Sequence, residues 1–224
     1  MYDAARVMLV GATGLVGREV IAACARRPDI ALSGLARREL AMPQGARIEL
    51  LLADPSHWPQ AIAETRPPTL VVALGTTIKA QGGDRAKFRA VDHDLVLTCA
   101  TAAKAAGTRQ LILVSSVGAA LSSRNFYLSV KGEVEERLAQ LHFARFDILR
   151  PGLLRGKREG PPRPAERLGM LASPLVDPLL LGNLARFRSV RARDLAQVIV
   201  ALVGARPDGR FIHHYPEFRR LLAR

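Results

Sequence analysis

The sequence predicts an α/β fold built on a doubly wound parallel sheet, and three observations support this. Short apolar runs alternate with longer helical patterns over the first two-thirds of the chain. Several of these runs are apolar throughout, as in strands that are buried on both faces of a parallel sheet. The first run leads through a glycine-rich turn directly into a helical pattern. Alternation of strand and helix in this manner is typical of a doubly wound sheet.

The elements can be assigned in order along the chain. The predicted strands are residues 6–10, 30–36, 48–53, 70–74, 111–115, 147–149 and a last strand at 210–214. Five helices are predicted. The first carries the apolar stripe Val16, Val20, Ile21 and Cys24, the second is long and covers 84–106, and the third contains Phe126, Val130, Val134 and Leu138. The fourth covers 194–203, and a short fifth helix lies at the C-terminal end. Apolar residues at i, i+4 spacing mark the buried face of each helix.

The 224 residues are interpreted as a single domain, 1–224, in which residues 150–190 form a small C-terminal substrate lobe. The strand–helix rhythm ends at Pro151-Gly152, and the following stretch, 153–169, is rich in Pro, Gly and Arg. Such composition is typical of an exposed loop. We therefore expect this lobe to lie over the carboxyl ends of the strands and to carry substrate specificity.

The chain is basic, with a formal net charge of +13, and the excess lies mainly at the C-terminal end. Residues 150–224 hold 15 Lys and Arg against 6 Asp and Glu. This distribution favours an anionic ligand or an acidic partner. The basic residues are mostly single and lack interleaved aromatics, which argues against nucleic acid. The segment with Arg155, Lys157, Arg158 and Arg163 either attracts an anionic small-molecule substrate or is a solvated loop.

Compartment and oligomeric state are predicted from what the chain lacks. Its start, "MYDAARVMLVGATG", has no apolar stretch behind a basic one, so we expect no signal peptide. The apolar stretch 168–185 contains two prolines and an aspartate, which argues against a membrane-spanning helix and leaves a lid, an oligomer contact or a peripheral membrane contact. Cys24 and Cys99 are predicted to be buried reduced thiols. We expect a cytoplasmic monomer or homodimer without integral membrane association, and we expect neighbouring His213 and His214 to point apart rather than share a metal.

A glycine-rich loop marks the predicted cofactor site. In "VMLVGATGLVGREV", Gly11, Gly14 and Gly17 lie between the first strand and the first helix. Glycine permits a tight turn and close approach of the backbone to phosphates, and the helix start offers free N–H groups. The sequence therefore predicts a Rossmann-type dinucleotide site. The loop residues expected to bind the cofactor are Gly11, Thr13, Gly14, Leu15, Val16 and Gly17.

The end of the second predicted strand indicates which dinucleotide binds. NAD-specific sites carry an acid there that bonds the ribose 2′-hydroxyl, whereas a 2′-phosphate requires arginine. The strand ends in "LSGLARREL", with Arg37 and Arg38 and no acid at its tip. Guanidinium groups hold phosphate through charge-assisted, bidentate bonds. NADP(H) is therefore favoured over NAD(H).

Five motifs, "GATGLVG", "LGTT" (74–77), "LVSSVGA" (113–119), "YLSVKGEVE" (127–135) and "LRPGLL" (149–154), resemble the short-chain dehydrogenase/reductase superfamily. They are most similar to its atypical branch, which includes the Tat-interacting-protein-like oxidoreductases. The resemblance covers about residues 7–155 and is thin beyond Leu154. It implies an NADP(H)-dependent oxidoreductase that reduces a carbonyl or an activated double bond.

The resemblance also implies roles for individual residues. Tyr127 would be the acid/base residue, and Lys131 would hold the nicotinamide ribose and favour the phenolate. A serine at the end of the fifth strand would bond the substrate oxygen, and Ser116 is preferred over Ser115. Leu74, Gly75, Thr76, Thr77 and Pro151 would contact the cofactor, and Asp54 would accept a bond from the adenine amino group. For Asp54 and the two threonines, a helix cap and turn residues are equally good interpretations.

Two departures from the family pattern leave an alternative open. Some extended members place the active hydroxyl one residue later, where this chain has Val117, and "LGTT" replaces the asparagine usual after the fourth strand. The alternative is a non-catalytic NADP(H)-binding module that reports the redox state of its cofactor to a protein partner.

Overall fold

A computed structural model describes residues 4–43, 48–156 and 177–223. It contains a parallel sheet of seven strands in the order β3-β2-β1-β4-β5-β6-β9. These strands are β1 (Ala5–Val10), β2 (Ile30–Ala36), β3 (Ile48–Leu52), β4 (Thr69–Val72), β5 (Gln110–Val114), β6 (Arg145–Leu149) and β9 (Gly209–His213). Two short strands, β7 (Leu154–Arg155) and β8 (Val190–Arg191), form a separate parallel pair. The predicted doubly wound Rossmann sheet is confirmed.

Helices cover both faces of the sheet. They are α1 (Leu15–Cys24), α2 (Trp58–Thr65), α3 (Arg85–Arg89), α4 (Leu95–Ala105), α5 (Phe126–Ala139), α6 (Ala192–Leu202) and α7 (Tyr215–Leu222). Three-residue 3₁₀ turns lie at Pro55–His57, Lys79–Gln81 and Asp177–Leu179, and a longer 3₁₀ segment lies at Gly182–Phe187.

The alternation of side chains along β1 divides the core into two layers. Val7 and Leu9 pack in one apolar cluster with α1, α6 and α7. Met8 and Val10 pack on the other face with α2, α4 and α5. Because successive side chains of a strand point to opposite faces, a continuous apolar run supplies both layers at once.

The strand order reverses between β1 and β4, and this reversal places the site. The chain moves outward from β1 to β3, then crosses back to β4 on the other side of β1. Loops that follow two such neighbouring strands turn away from each other and leave a crevice at their carboxyl ends, which is where open α/β sheets bind ligands. The two loops here are the glycine loop after β1 and "LGTT" after β4.

The structure refines one predicted helix and adds another. The long helix predicted over 84–106 is helical from Arg85 to Ala105, but a π-helical turn, Ala90–Asp94, lies within it between α3 and α4. The apolar spacing continues through this turn, so the sequence pattern does not show it. Helix α2 was not predicted. The basic residues Lys157, Arg158 and Arg163 of the predicted small lobe lie outside the described residues.

Other sequence expectations concern membranes and thiols. Within the described part of the chain, no helix is long and apolar enough to cross a membrane. Cys24 and Cys99 are buried free thiols, as predicted. Burial raises the pKa of Cys24 to about 11 and that of Cys99 to about 12, so both remain protonated at neutral pH.

Candidate functional site

The glycine loop forms a tight cradle between β1, α1 and the loop after β4. Gly11 has φ +96°, and a Cβ on it would lie 2.7 Å from the backbone of Ala73. A Cβ on Gly17 would lie 2.1 Å from the carbonyl oxygen of Gly11. The Gly14 amide donates a 3.0 Å hydrogen bond to that same oxygen. Since neither Gly11 nor Gly17 tolerates a side chain, the loop fits the close approach of backbone to a pyrophosphate.

A cleft with two chambers extends along the carboxyl ends of the strands. The inner chamber, about 240 Å³, is lined by the glycine loop, "LGTT", the end of β5, Tyr127 and Lys131. The outer chamber, about 250 Å³, is lined by the glycine loop, the end of β2, Trp58 and the start of α4. Both chambers share Gly14, Ala73, Leu74, Gly75 and Thr76. The cleft is therefore one continuous groove that crosses the start of α1.

Helix α5 presents Tyr127 and Lys131 to the inner chamber. Asn125 caps the helix by accepting a hydrogen bond from the Leu128 amide at 3.2 Å. Val130, Val134 and Leu138 are buried, as the sequence predicts for this face. Tyr127 is half-buried, and the Lys131 Nζ lies 6.0 Å from the centre of its ring. Lys131 is only 5% exposed, so the helix holds its ammonium group within the wall of the chamber.

A buried carboxylate forms an ion pair with Lys131. Asp92 is 0% exposed, and its Oδ1 lies 2.9 Å from the Lys131 Nζ. This distance joins two oppositely charged groups within hydrogen-bonding range. Burial alone depresses the pKa of Lys131, but the negative charge of Asp92, aided by Tyr127 and Glu135, raises it above its ordinary value.

The two candidate serines differ in their surroundings. Ser115 lines the inner chamber, but its hydroxyl donates a 2.5 Å hydrogen bond to Glu135 Oε1. Glu135 is in turn held by Arg150, whose Nε lies 3.0 Å from the same oxygen. Ser116 is half-buried, and its hydroxyl donates to the Val117 carbonyl oxygen at 3.3 Å. Among the described residues that line the cleft, Ser115 is present and Ser116 is not.

Arg37 and Arg38 face different surfaces. Arg37 lines the outer chamber, whereas Arg38 lines a separate surface hollow beside Leu40. Asp54 is exposed and caps a 3₁₀ turn, because its Oδ1 accepts bonds from the Ser56 amide at 2.9 Å and from the Ser56 hydroxyl at 2.7 Å. These bonds hold the pKa of Asp54 below its ordinary value. The cap interpretation of Asp54 is thus observed, and its adenine contact stays a prediction.

The remaining predicted residues border the cleft or support it. Leu74, Gly75 and Thr76 line both chambers, and Thr77 lines the inner one. The hydroxyl oxygens of the two threonines also accept local bonds, from the Gln81 side chain at 3.0 Å and from the Ala80 amide at 3.1 Å. Pro151 is buried, and its carbonyl oxygen accepts a 2.9 Å bond from the Val117 amide. Leu15 and Val16 line the inner chamber, and Thr13 lines the outer one.

Two residues of the site were not found by sequence reasoning. Glu135 follows Lys131 by four residues, so the row Tyr127, Lys131, Glu135 at i, i+4, i+8 could have indicated it. No sequence pattern indicates Asp92, because it lies in a continuous helical pattern. Its contact with Lys131 is formed only when the two helices pack together. His213 Nε2 donates a 2.9 Å hydrogen bond to the Asp147 carboxylate, and His214 lies at the start of α7.

Comparison with known proteins identifies the family. The family described as NAD(P)H-binding matches residues 11–205. The chain belongs to this NAD(P)H-binding family. The curated relatives include the mitochondrial protein fmp52 of Emericella nidulans, which is 38% identical over 169 residues and is covered to 72% in both chains. FMP52 of Saccharomyces cerevisiae is 39% identical over 154 residues, with 67% of this chain and 66% of that protein covered.

Solved structures share the fold at low sequence identity. A UDP-glucose 4-epimerase of Thermus thermophilus in complex with NAD has a TM-score of 0.68 and 18% identity, covering 97% of this chain and 81% of that one. The enzyme WbmH of Bordetella bronchiseptica in complex with NAD⁺ has a TM-score of 0.69 and 14% identity, covering 95% and 76%. The predicted NAD(P)-binding Rossmann-fold family is confirmed by the match to the NAD(P)H-binding family and by this shared fold.

The predicted cytoplasmic location is wrong. The names of the relatives with 38% and 39% identity place those proteins in mitochondria. The prediction rested on the lack of a secretory signal, and that observation does not discriminate between cytoplasm and mitochondrion. A targeting signal is recognised by receptors, and the composition of the folded domain therefore does not reveal the compartment.

Proposed function

We propose that this chain is an NADP(H)-dependent oxidoreductase that reduces a carbonyl or an activated double bond. The observation that carries the proposal is the Tyr127–Lys131 pair in the wall of the inner chamber, in the same groove as the glycine cradle. The family match supports NAD(P)H as the ligand of that groove. NADPH, when bound, supplies the hydride.

In this proposal Tyr127 supplies the proton, and Lys131 stabilises the negative charge that remains on the tyrosine. Tyr127 donates its hydroxyl proton to the substrate oxygen as that oxygen gains negative charge, and solvent later restores the proton. A free tyrosine has a pKa of about 10, so the reaction needs a cation nearby that favours the phenolate left behind. Lys131 supplies this charge, and its ammonium also suits a hydroxyl of the ribose. A positioned acid of this kind contributes roughly 10²–10⁴-fold in rate.

The decisive variant is Tyr127→Phe, assayed by NADPH oxidation with a panel of aldehydes, ketones and enones. We expect a loss of at least about 100-fold in kcat, with unchanged affinity for NADPH, because only the proton donor is removed. Tyr215→Phe is the matched control, since Tyr215 lies on α7 against Arg188 and away from the cleft. Full activity of Tyr127→Phe would reject the assigned mechanism.

The preference for NADP(H) is proposed from Arg37, which lines the outer chamber. Removing a charge-assisted bond to the 2′-phosphate should weaken binding of NADPH roughly tenfold and leave NADH unaffected. The test is calorimetric titration of Arg37→Ala with both cofactors. Arg38→Ala is the control, because Arg38 lines a different hollow. Equal loss for NADPH and NADH in Arg37→Ala would contradict a 2′-phosphate contact.

A specific observation keeps a second candidate function open. The Ser115 hydroxyl donates its hydrogen bond to Glu135, Ser116 is not among the described residues that line the cleft, and Val117 has no hydroxyl. A chain without a free serine donor would suit a non-catalytic NADP(H)-binding module that reports cofactor state to an acidic protein partner. Tight NADPH binding, no turnover across the panel and cofactor-dependent capture of one partner would favour the module over the reductase.

We also propose a mitochondrial location, supported by the names of the Fmp52 relatives. Fractionation of cells that express the chain in its natural context tests this. Co-purification with mitochondria is expected, and recovery in the cytosol alone would contradict it.

A further inference from the structure

An acid with no assigned role lies behind the inner chamber. Asp92 belongs to the π-helical turn between α3 and α4, and π-turns inside helices occur frequently at functional sites. Its side chain is 0% exposed. A buried carboxylate is costly unless charge and hydrogen bonds compensate it, so its contacts indicate what it does.

Asp92 connects two walls of the cleft through its two oxygens. Its Oδ2 accepts a 2.8 Å hydrogen bond from the backbone amide of Thr76, in the loop after β4. Its Oδ1 lies 2.9 Å from the Lys131 Nζ on α5. A Cβ on Gly75 would lie 4.0 Å from Oδ1, so the loop backbone passes directly beside this ion pair. One side chain thus ties the loop that lines both chambers to the lysine of the inner chamber.

The charge of Lys131 depends on this contact. The lysine is 5% exposed and is faced by Asp92 from the π-turn and by Tyr127 and Glu135 from its own helix. Glu135 is already engaged by Arg150 and Ser115, and Tyr127 has no charge when protonated. Asp92 is therefore the principal counter-ion that keeps a buried ammonium protonated.

We propose that Asp92 is a positioning residue that holds Lys131 charged and aimed at the cofactor cleft, and that fixes the loop after β4 against it. The consequence for catalysis rests on the function proposed above. The charge of Lys131 and the affinity for NADPH can be measured without turnover, so the two ideas can fail separately.

The test is Asp92→Asn, which keeps an oxygen for the Thr76 amide and removes the negative charge. The chain contains five lysines, so ¹³C-labelled lysine side chains give few NMR signals, and Lys131→Met identifies the relevant one. In Asp92→Asn we expect the titration midpoint of Lys131 to move to lower pH. We also expect NADPH binding to weaken roughly tenfold, as when one charged partner of a polar contact is removed.

Asp94→Asn is the matched control. Asp94 lies in the same π-turn and carries the same charge, but its side chain is 63% exposed and pairs with His93. We expect this variant to leave both the Lys131 midpoint and the affinity for NADPH as in the wild type.

A double-mutant cycle with Lys131→Met guards against a simple folding defect. If Asp92 acts through Lys131, adding Asp92→Asn to Lys131→Met causes little further loss of NADPH affinity. An unchanged Lys131 midpoint in Asp92→Asn would overturn the proposal, as would fully additive losses in the cycle. A shifted midpoint in a chain that turns over no substrate would support the positioning role and reject the reductase.

Discussion

Two buried carboxylates, Asp92 at the cleft and Asp147 in β6, carry the same charge in different surroundings. Both are 0% exposed. Asp147 receives bonds from Arg145 Nε at 2.7 Å and Nη2 at 2.8 Å, from the Gln110 amide at 3.0 Å, and contacts His213 Nε2 at 2.9 Å. Asp92 has one backbone amide and one ammonium as partners.

The difference separates a structural network from a functional one. The partners of Asp147 come from β5, β6 and β9, so the carboxylate ties three adjacent strands together and all of its oxygens are used. A guanidinium makes a rigid two-bond fork, whereas an ammonium is a compact point charge that can also serve another ligand. The fully satisfied network stabilises the sheet edge, and the partly satisfied one leaves Lys131 available to the cleft.

The largest expected effect is the loss of stability in Asp147→Ala. Removing one partner of a buried ion pair leaves the Arg145 charge uncompensated and typically costs about 3–5 kcal/mol. Guanidinium chloride unfolding measures this change in the free energy of unfolding. Asp208→Ala is the control, because its pairs with Arg109 and Arg206 are exposed and such pairs contribute about 0–1 kcal/mol. Equal losses in the two variants would show that the closed network is not a stability element.

A smaller loss of stability is expected when the pH is lowered and Asp147 becomes protonated. Burial would raise the pKa of Asp147, but hydrogen bonds from His213, Arg145 and Gln110 hold the pKa below its ordinary value. A carboxyl whose pKa is depressed by folding stabilises the native state above its unfolded pKa of about 3.9, and this contribution is lost as the pH falls through the folded pKa. Circular dichroism between about pH 2 and 6 should therefore show a steeper loss of stability in wild type than in Asp147→Asn. Identical pH dependence in both would contradict this assignment.

The contribution of Lys131 to stability should change at high pH. The pKa of Lys131 is raised in the folded chain, so its favourable contribution is complete below the unfolded value and is lost only as the pH rises through the folded one. Asp147 and Lys131 thus make stability depend on pH at opposite ends of the scale, because the pKa of Asp147 is lowered and that of Lys131 is raised on folding.

Much of the fold was predictable because it rests on local patterns. The apolar runs at 30–36 and 48–53 matched strands within a residue, and the row Val130, Val134, Leu138 is buried on α5 as expected. The π-turn at Ala90–Asp94 was missed, since a one-residue widening of a helix leaves the apolar spacing nearly unchanged. The β7–β8 pair was also missed, because two-residue strands carry no periodic signal.

The sequence by itself determined the doubly wound sheet, the glycine cradle and the helix that bears Tyr127 and Lys131. These follow from the hydrophobic period and from positions that have no room for a side chain, such as Gly11 and Gly17. Only the tertiary structure decided that Asp92, 39 positions before Lys131 along the chain, forms an ion pair with it, that Glu135 accepts a hydrogen bond from Ser115, and that Arg37 and Arg38 face different surfaces. Contacts between residues that are distant in sequence depend on how helices pack on the sheet, and no local pattern encodes that geometry.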